Sequence, residues 1–159
     1  MQGPVIDFGP QVNDWSDSDG AYLNVVPEVR NLRAAYVVYG SQAKGGQIFG
    51  SRIDETGDMA RFESPTLDTG LFNAACNDFL RGDIYTNGVL IANDQNHRFK
   101  ATGGYQLIEV HPASGMRFNT LASGAKRNYL HGGNRMGEVI VYERPLSERE
   151  KVATRNYLL

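Results

Sequence analysis

The sequence predicts an all-β protein, a two-sheet antiparallel sandwich with one short helix at its C-terminal end. Short apolar runs alternate with turn residues along the chain, and 18 glycines are spread through its 159 residues. A convincing helical segment occurs only near the C-terminus. Many short strands joined by tight turns, without helices between them, are typical of sandwiches.

Seven segments have the composition of strands and end near turn residues. They are residues 5–8, 33–39, 47–49, 83–85, 89–91, 105–111 and 135–142. Asn87-Gly88 separates two of them, and a type I′ turn requires positive φ at both central residues, which Asn and Gly tolerate best. This pair therefore predicts a β-hairpin.

The segment 135–142 is apolar on both of its alternating sets of side chains. One set is Met136, Ile140 and Tyr142, and the other is Val139 and Val141. A strand in the middle of a sandwich, covered on both faces, is expected to have this composition.

The C-terminal helix is predicted from a capping box, Ser147-Glu-Arg-Glu150. The Ser147 hydroxyl accepts a hydrogen bond from the Glu150 backbone N–H, and the Glu150 carboxylate reaches back to Ser147. Pro145 ends the preceding strand. The helix should run from Glu148 towards the chain end. Its inward-facing residues are predicted to be Val152, Ala153 and Tyr157.

Length and composition favour one globular domain spanning residues 1–159. The net charge is −2, from 16 basic and 18 acidic residues, so no footprint for a nucleic-acid backbone is expected. An apolar run of membrane-spanning length and a signal peptide are both missing from the sequence. We expect the chain to be one module of a larger protein.

The segment Gly132–Glu150, with Asn156–Leu159 after it, resembles the closing part of laminin G-like and concanavalin A-like jelly-roll domains. That part consists of a last core strand, a Tyr-x-Arg-x-Leu-Ser turn and a short helix ending in Tyr-Leu. Asp7–Gly9, Val29–Arg33 and Ile84–Val89 are similar to earlier parts of such domains. The resemblance implies a jelly-roll sandwich whose function is carried by its loops. Members of this group include carbohydrate-binding modules, lectins, adhesion domains and some glycan-cleaving enzymes.

The glycan hydrolases of this fold carry carboxylates alternating along one strand, so that one attacks the sugar and the other protonates the leaving group. Glu109 and Glu138 each stand alone in their strand-like segments. We expect Glu138 to pair with a neighbouring arginine or backbone amide. The three histidines lack zinc-site spacing, and Cys76 is interpreted as a buried structural thiol. The sequence therefore predicts a protein that is not an enzyme and has no cofactor.

The acidic segment Asp14–Gly20 leaves calcium as an open alternative. It does not match an EF-hand loop, because Trp15 would occupy the first ligand position and Val26 the twelfth. A looser site using Asp17 and Asp19 competes with the interpretation of a solvated polar turn.

The predicted function is carbohydrate binding, because sugars are held by an aromatic face together with planar polar side chains. The residues proposed to bind the ligand are Arg127, Tyr129, His131, Asn134 and Arg135, with Trp15 and Arg52 in support. For Tyr129 and Trp15, burial under a loop is the competing interpretation.

The expected partners are a surface glycan and other domains of a parent protein, without nucleic-acid binding or membrane insertion. The expected location is extracellular, on a cell surface or on a virion surface. The alternative function is a structural or protein-adhesion domain of a surface, phage-tail or virion protein.

Overall fold

The computed structural model describes residues 5–7, 23–41, 47–50, 58–61, 82–91, 104–122 and 134–159. These residues form two antiparallel sheets and a C-terminal helix, which confirms the predicted fold class. The strands are β1 (Ile6–Asp7), β2 (Leu23–Leu32), β3 (Ala34–Ser41), β4 (Gln47–Gly50), β5 (Asp58–Arg61), β6 (Asp83–Thr86), β7 (Val89–Ile91), β8 (Gln106–His111), β9 (Met116–Leu121) and β10 (Asn134–Tyr142). The helix α1 spans Glu148–Leu158.

The six-stranded sheet has the order β1-β10-β3-β8-β6-β7, and the four-stranded sheet has the order β2-β9-β4-β5. All seven predicted strand segments coincide with strands of the structure. The strands β2, β5 and β9 were not predicted. They are three of the four strands of the smaller sheet, so only β4 of that sheet was expected from the sequence.

The predicted hairpin is confirmed between β6 and β7. Asn87 and Gly88 both have positive φ, 50° and 78°, as a type I′ turn requires. The Asn87 side-chain oxygen also accepts a hydrogen bond of 2.8 Å from the backbone N–H of Leu107. A further bond of 2.9 Å joins the Asn87 N–H to the Leu107 carbonyl. The turn is therefore anchored to the edge of β8.

The hydrophobic core lies between the two sheets. The six-stranded sheet contributes Val37, Ile108 and Val110, and the smaller sheet contributes Phe49 and Phe118, all at most 1% exposed. The rings of Phe49 and Phe118 meet edge to face, with their centroids 5.0 Å apart. Burial of this apolar surface is the main force that holds the sheets together.

The strand β10 packs against apolar side chains on both faces over residues 139–142, but its alternating sets are divided differently from the prediction. A β-bulge between Met136 and Val139 shifts the register against β3. Met136 therefore joins Val139 and Val141 in the core between the sheets. Ile140 and the tyrosine that follows at position 142 face the other side. An extra residue in a bulge reverses the side-chain alternation beyond it, which simple period-2 counting misses.

The capping box is confirmed at the start of α1. Ser147 is the N-cap, and its hydroxyl oxygen accepts from the Glu150 N–H while the Glu150 carboxylate accepts from the Ser147 N–H. No helix in the part of the chain that the structure describes is long and apolar enough to cross a membrane.

The predicted inward face of α1 is wrong. Val152, Ala153 and Tyr157 are exposed, and the residues turned towards the sheet are mostly polar. The inward-facing residues are Lys151, Thr154, Arg155 and Leu158. Thr154 is hydrogen-bonded to the Tyr142 hydroxyl at 3.1 Å. The prediction assumed an apolar contact surface, whereas the sheet presents polar groups to this helix.

Candidate functional site

The outer face of the six-stranded sheet is the face turned away from the smaller sheet. The helix α1 packs over one end of this outer face, where its Leu158 and the preceding residue Leu146 form a cluster with Ala34, Tyr36 and Leu107. At the other end, the segment that carries most of the predicted ligand-binding residues enters β10 at Asn134. The geometry of that end therefore bears on the predicted site.

Four residues form a row across this open end of the outer face. Asp7 of β1 is paired with Arg135 of β10, and Arg135 with Gly40 of β3. Tyr105 directly precedes Gln106, the partner of Tyr39, and so lies beside Gly40. The neighbours of these residues, Tyr39 and Met136, point into the core, so the row itself points outwards. We call Asp7, Arg135, Gly40 and Tyr105 the outer row.

The Tyr105 ring lies against the backbone of Gly40. A Cβ atom at position 40 would be only 3.0 Å from Cε1 of Tyr105 and 3.2 Å from its Cδ1, and 3.5 Å from Cβ of Arg135. Glycine is thus the residue that lets the ring lie across β3 towards Arg135. Tyr105 remains 47% exposed, so part of its aromatic surface is available to a ligand.

Arg135 and Asp7 form the polar part of the outer row. The Nε atom of Arg135 donates a 3.0 Å hydrogen bond to Oδ2 of Asp7, and both side chains are about half exposed. The pair places a guanidinium and a carboxylate beside an exposed aromatic ring. These are the planar groups that can bridge neighbouring hydroxyls of a sugar while the ring contacts its C–H face.

Of the predicted ligand-binding residues, Arg135 is the one whose side chain the structure describes. The backbone of Asn134 is placed in β10, opposite Ser41. Arg127, Tyr129, His131, Trp15 and Arg52 lie outside the described residues, as do Cys76 and the candidate calcium ligands Asp17 and Asp19. Among the described residues, no group of three or more His, Cys, Asp or Glu side chains could hold a metal ion.

Tyr105 was missed as a ligand-binding candidate because it was counted only as the first residue of a strand. The signal was present in the sequence, where Gly103-Gly104 precedes the tyrosine and Gly40 ends a strand-like run. An aromatic residue at the end of a strand beside glycine has little side-chain cover, which favours exposure of its ring.

The covered end of the outer face contains a buried ionic cluster. Glu109 of β8 is completely buried and accepts two hydrogen bonds from Arg155 of α1, from Nε at 2.7 Å and from a terminal nitrogen at 2.9 Å. His111 Nε2 lies 2.7 Å from the same carboxylate. The Arg155 guanidinium also lies 4.9 Å from the centroid of the Tyr85 ring. This Glu109–Arg155–His111 cluster attaches α1 to the sheet.

The cluster determines the ionisation of its members. Burial by itself would raise the pKa of Glu109, but hydrogen bonds from His111 and Arg155 outweigh it and lower the pKa below its ordinary value. Burial, followed by the charge of Glu109, raises the pKa of Tyr36. The Tyr36 hydroxyl is buried and makes no hydrogen bond to a described residue. Glu109 is therefore ionised, and its carboxylate oxygens accept hydrogen bonds from Arg155 and His111 inside the protein.

The two glutamates considered as catalytic candidates have opposite environments. Glu109, noted only as an isolated acid, is the centre of the buried cluster. Glu138 lies exposed on the β10 bulge and forms neither an ion pair nor a hydrogen bond with any residue in the described segments. The expected pairing of Glu138 with an arginine or a backbone amide therefore finds no partner among the described residues, where Glu138 is exposed beside the bulge.

Comparison with known proteins finds no matching family model, no matching curated protein and no matching solved structure.

Proposed function

We propose that the chain is a non-catalytic, carbohydrate-binding module of the laminin G-like or concanavalin A-like kind. It would act within a larger extracellular, cell-surface or virion-surface protein, next to that protein's other domains. The proposed ligand is a glycan, bound at the open end of the outer face. The binding residues would be those of the outer row together with the predicted residues Arg127, Tyr129, His131 and Asn134, helped by Trp15 and Arg52.

The observation that carries this proposal is the position of Tyr105. Its half-exposed ring lies against Gly40, within reach of the Arg135–Asp7 pair. A rigid aromatic surface contributes binding energy at a low cost in conformational entropy, since only two side-chain torsions have to be ordered. The rigid strands β3, β8 and β10 support this arrangement, while the adjoining segment 127–133 would provide specificity.

The burial of Glu109 supports the non-catalytic part of the proposal. Glycoside hydrolysis by two carboxylates needs both to reach the scissile bond, about 5–9.5 Å apart. Glu109 is 0% exposed, and its carboxylate is hydrogen-bonded to Arg155 and His111. It therefore cannot contact a polysaccharide unless α1 is displaced. The lowered pKa of Glu109 also makes it a poor proton donor at neutral pH.

The experiment is a glycan array followed by titration calorimetry with the best ligand. We expect Tyr105→Ala to weaken binding roughly tenfold, equivalent to about 1.4 kcal/mol. Gly40→Ala should also weaken binding, because the added Cβ displaces the Tyr105 ring while every polar group remains. Tyr157→Ala is the matched control, since it removes an exposed tyrosine from α1.

Saturable binding that is unchanged in both Tyr105→Ala and Gly40→Ala would remove the outer row from the site. If those variants keep full affinity and Tyr129→Ala loses it, the ligand is bound by the segment 127–133 alone. Binding to no glycan, with or without calcium, would contradict the proposed function itself.

A structural or protein-adhesion domain of a surface, phage-tail or virion protein is the second candidate. Several large apolar side chains of the described residues are well exposed, among them Val89 and Leu90 on β7 and Val152 and Tyr157 on α1, which favours contacts with protein. This alternative predicts an empty glycan array and self-association in sedimentation experiments, which Val152→Asp would reduce.

A further inference from the structure

An open cleft of about 340 Å³ lies at the opposite end of the outer face from Tyr105. Its charged or titratable lining residues are Arg33, Asp83, His111 and Lys151, and its apolar wall is formed by two prolines and Leu146. Tyr105 and His111 are six residues apart in an extended segment, so the cleft is about 20 Å from the outer row. It is therefore separate from the proposed glycan site.

Arg33 gives the cleft an available guanidinium. This side chain is partly buried at the junction of β2 and β3, and its backbone N–H is bonded to the Tyr142 carbonyl at 2.8 Å. The guanidinium itself makes no hydrogen bond or ion pair with any residue that the structure describes. An arginine held in the wall of a cleft without a partner retains its full capacity for a bidentate bond to an oxyanion.

Lys151 brings a second cation to the cleft. Its side chain is 14% exposed, and its ammonium lies 2.6 Å from Oε1 of Glu148, a carboxylate on an 80% exposed side chain. An ion pair with so exposed a partner is weak, so a ligand can replace Glu148 at little cost. The Lys151 side chain is thus mostly buried, while the side chain of its present partner Glu148 is mostly exposed to solvent.

The charges of the cleft residues determine which anion charge the cleft favours. Once a ligand has replaced Glu148 beside Lys151, Arg33 and Lys151 contribute two positive charges and Asp83 one negative charge, which leaves one positive charge in excess among these three side chains. His111 is committed to Glu109 through Nε2. A group with a single negative charge is therefore matched better than sulfate or phosphate, which would be repelled by Asp83.

We propose that this cleft binds a carboxylate group carried by a small ligand, such as an acidic sugar or another small organic acid. The Arg33 guanidinium takes the carboxylate bidentately, and Lys151 adds a charge-assisted hydrogen bond. Asp83 disfavours doubly charged anions and faces the polar remainder of the ligand.

The test is an NMR titration of the full chain with sodium acetate, glucuronate and neutral glucose, followed through the backbone amides of Gly82, His111 and Lys151. We expect saturable shifts with acetate and glucuronate and none with glucose at these amides. Arg33→Gln should weaken binding at least tenfold, and Arg149→Gln, an exposed arginine outside the cleft, should leave it unchanged. Asp83→Asn should tighten binding severalfold, because it removes the opposing charge.

Either ranking of the two anions supports a carboxylate site, and it identifies the source. Tighter binding of glucuronate assigns an acidic sugar, and equal or weaker binding of glucuronate relative to acetate assigns a simple organic acid. Absence of saturable shifts, or an unchanged affinity in folded Arg33→Gln, would overturn the proposal. If Arg33→Gln does not fold, a failure of Asp83→Asn to tighten binding overturns it instead. Tyr105→Ala should not affect these shifts, so failure here is distinguishable from failure at the outer row.

Discussion

Replacement of Arg155 by methionine tests whether the Glu109–Arg155–His111 cluster holds α1 against the sheet. Methionine keeps the length and apolar character of the arginine stem but removes both hydrogen bonds to Glu109, at 2.7 and 2.9 Å. Glu109 stays completely buried beneath the helix, with His111 as its remaining partner. The substitution therefore creates an undercompensated charge in the interior.

The expected loss is about 3 kcal/mol in the free energy of unfolding, since breaking a buried ion pair on one side costs about 3–5 kcal/mol. The lower end of that range applies because Arg155 is 18% exposed and His111 still donates to the carboxylate. Urea denaturation followed by circular dichroism and tryptophan fluorescence measures this loss.

Arg135→Met provides the control. Arg135 also contacts a carboxylate, at 3.0 Å from Asp7, but the pair is half exposed, and its loss should cost less than about 1 kcal/mol. A loss below about 1 kcal/mol for Arg155→Met as well would show that water replaces the guanidinium without penalty. The Glu109–Arg155–His111 cluster would then contribute little to the attachment of α1.

The other predictions concern the helix cap, the core and acid conditions. Ser147→Ala should destabilise the protein by about 1 kcal/mol in urea denaturation, while Ser147→Thr retains the cap. Phe118→Ala should cost about 3–5 kcal/mol because it empties the space beside Phe49, and a thermal shift of only a degree or two would contradict this. The pKa of Glu109 is lowered in the folded state, so its stabilising contribution is complete above the unfolded pKa of about 4.3 and is lost as the pH falls through the lower folded value. The difference in stability between wild type and Glu109→Gln should therefore shrink below about pH 4, and a difference independent of pH would refute this.

Strands and turns with strong local signals could be predicted from the sequence. Asn87-Gly88 and the Ser147 capping box are decided by contacts between near neighbours, and both are confirmed. The strand β2 was missed because Pro27 and two charged residues, Glu28 and Arg30, interrupt its pattern, and register shifts disturb its pairing with β9. Such a strand is stabilised by its neighbours in the sheet rather than by local propensity.

The candidate site and the helix packing depended on contacts distant in sequence. Arg135 was predicted to bind the ligand, but its neighbours Asp7 and Tyr105 become visible only when β1, β10, β3 and β8 are aligned. The inward face of α1 was predicted from apolar periodicity, whereas the sheet beneath it contains Glu109, 46 residues away from Arg155. Hydrophobic patterning cannot reveal a buried charge that selects a polar partner.

The polar attachment of α1 has a consequence for the uniqueness of the fold. A helix rolled by about half a turn about its axis would turn the apolar residues Val152 and Tyr157, which are now exposed, towards the sheet and would gain hydrophobic burial. That orientation would leave the buried Glu109 carboxylate without Arg155, at a cost of about 3–5 kcal/mol that opposes the gain. The buried Glu109 carboxylate thus favours the observed orientation of α1. In a variant with leucine at both Glu109 and Arg155, this preference for one orientation of the helix should disappear. Doubled NMR signals from α1 would reveal two coexisting orientations. A single set of signals would show that other contacts determine the orientation.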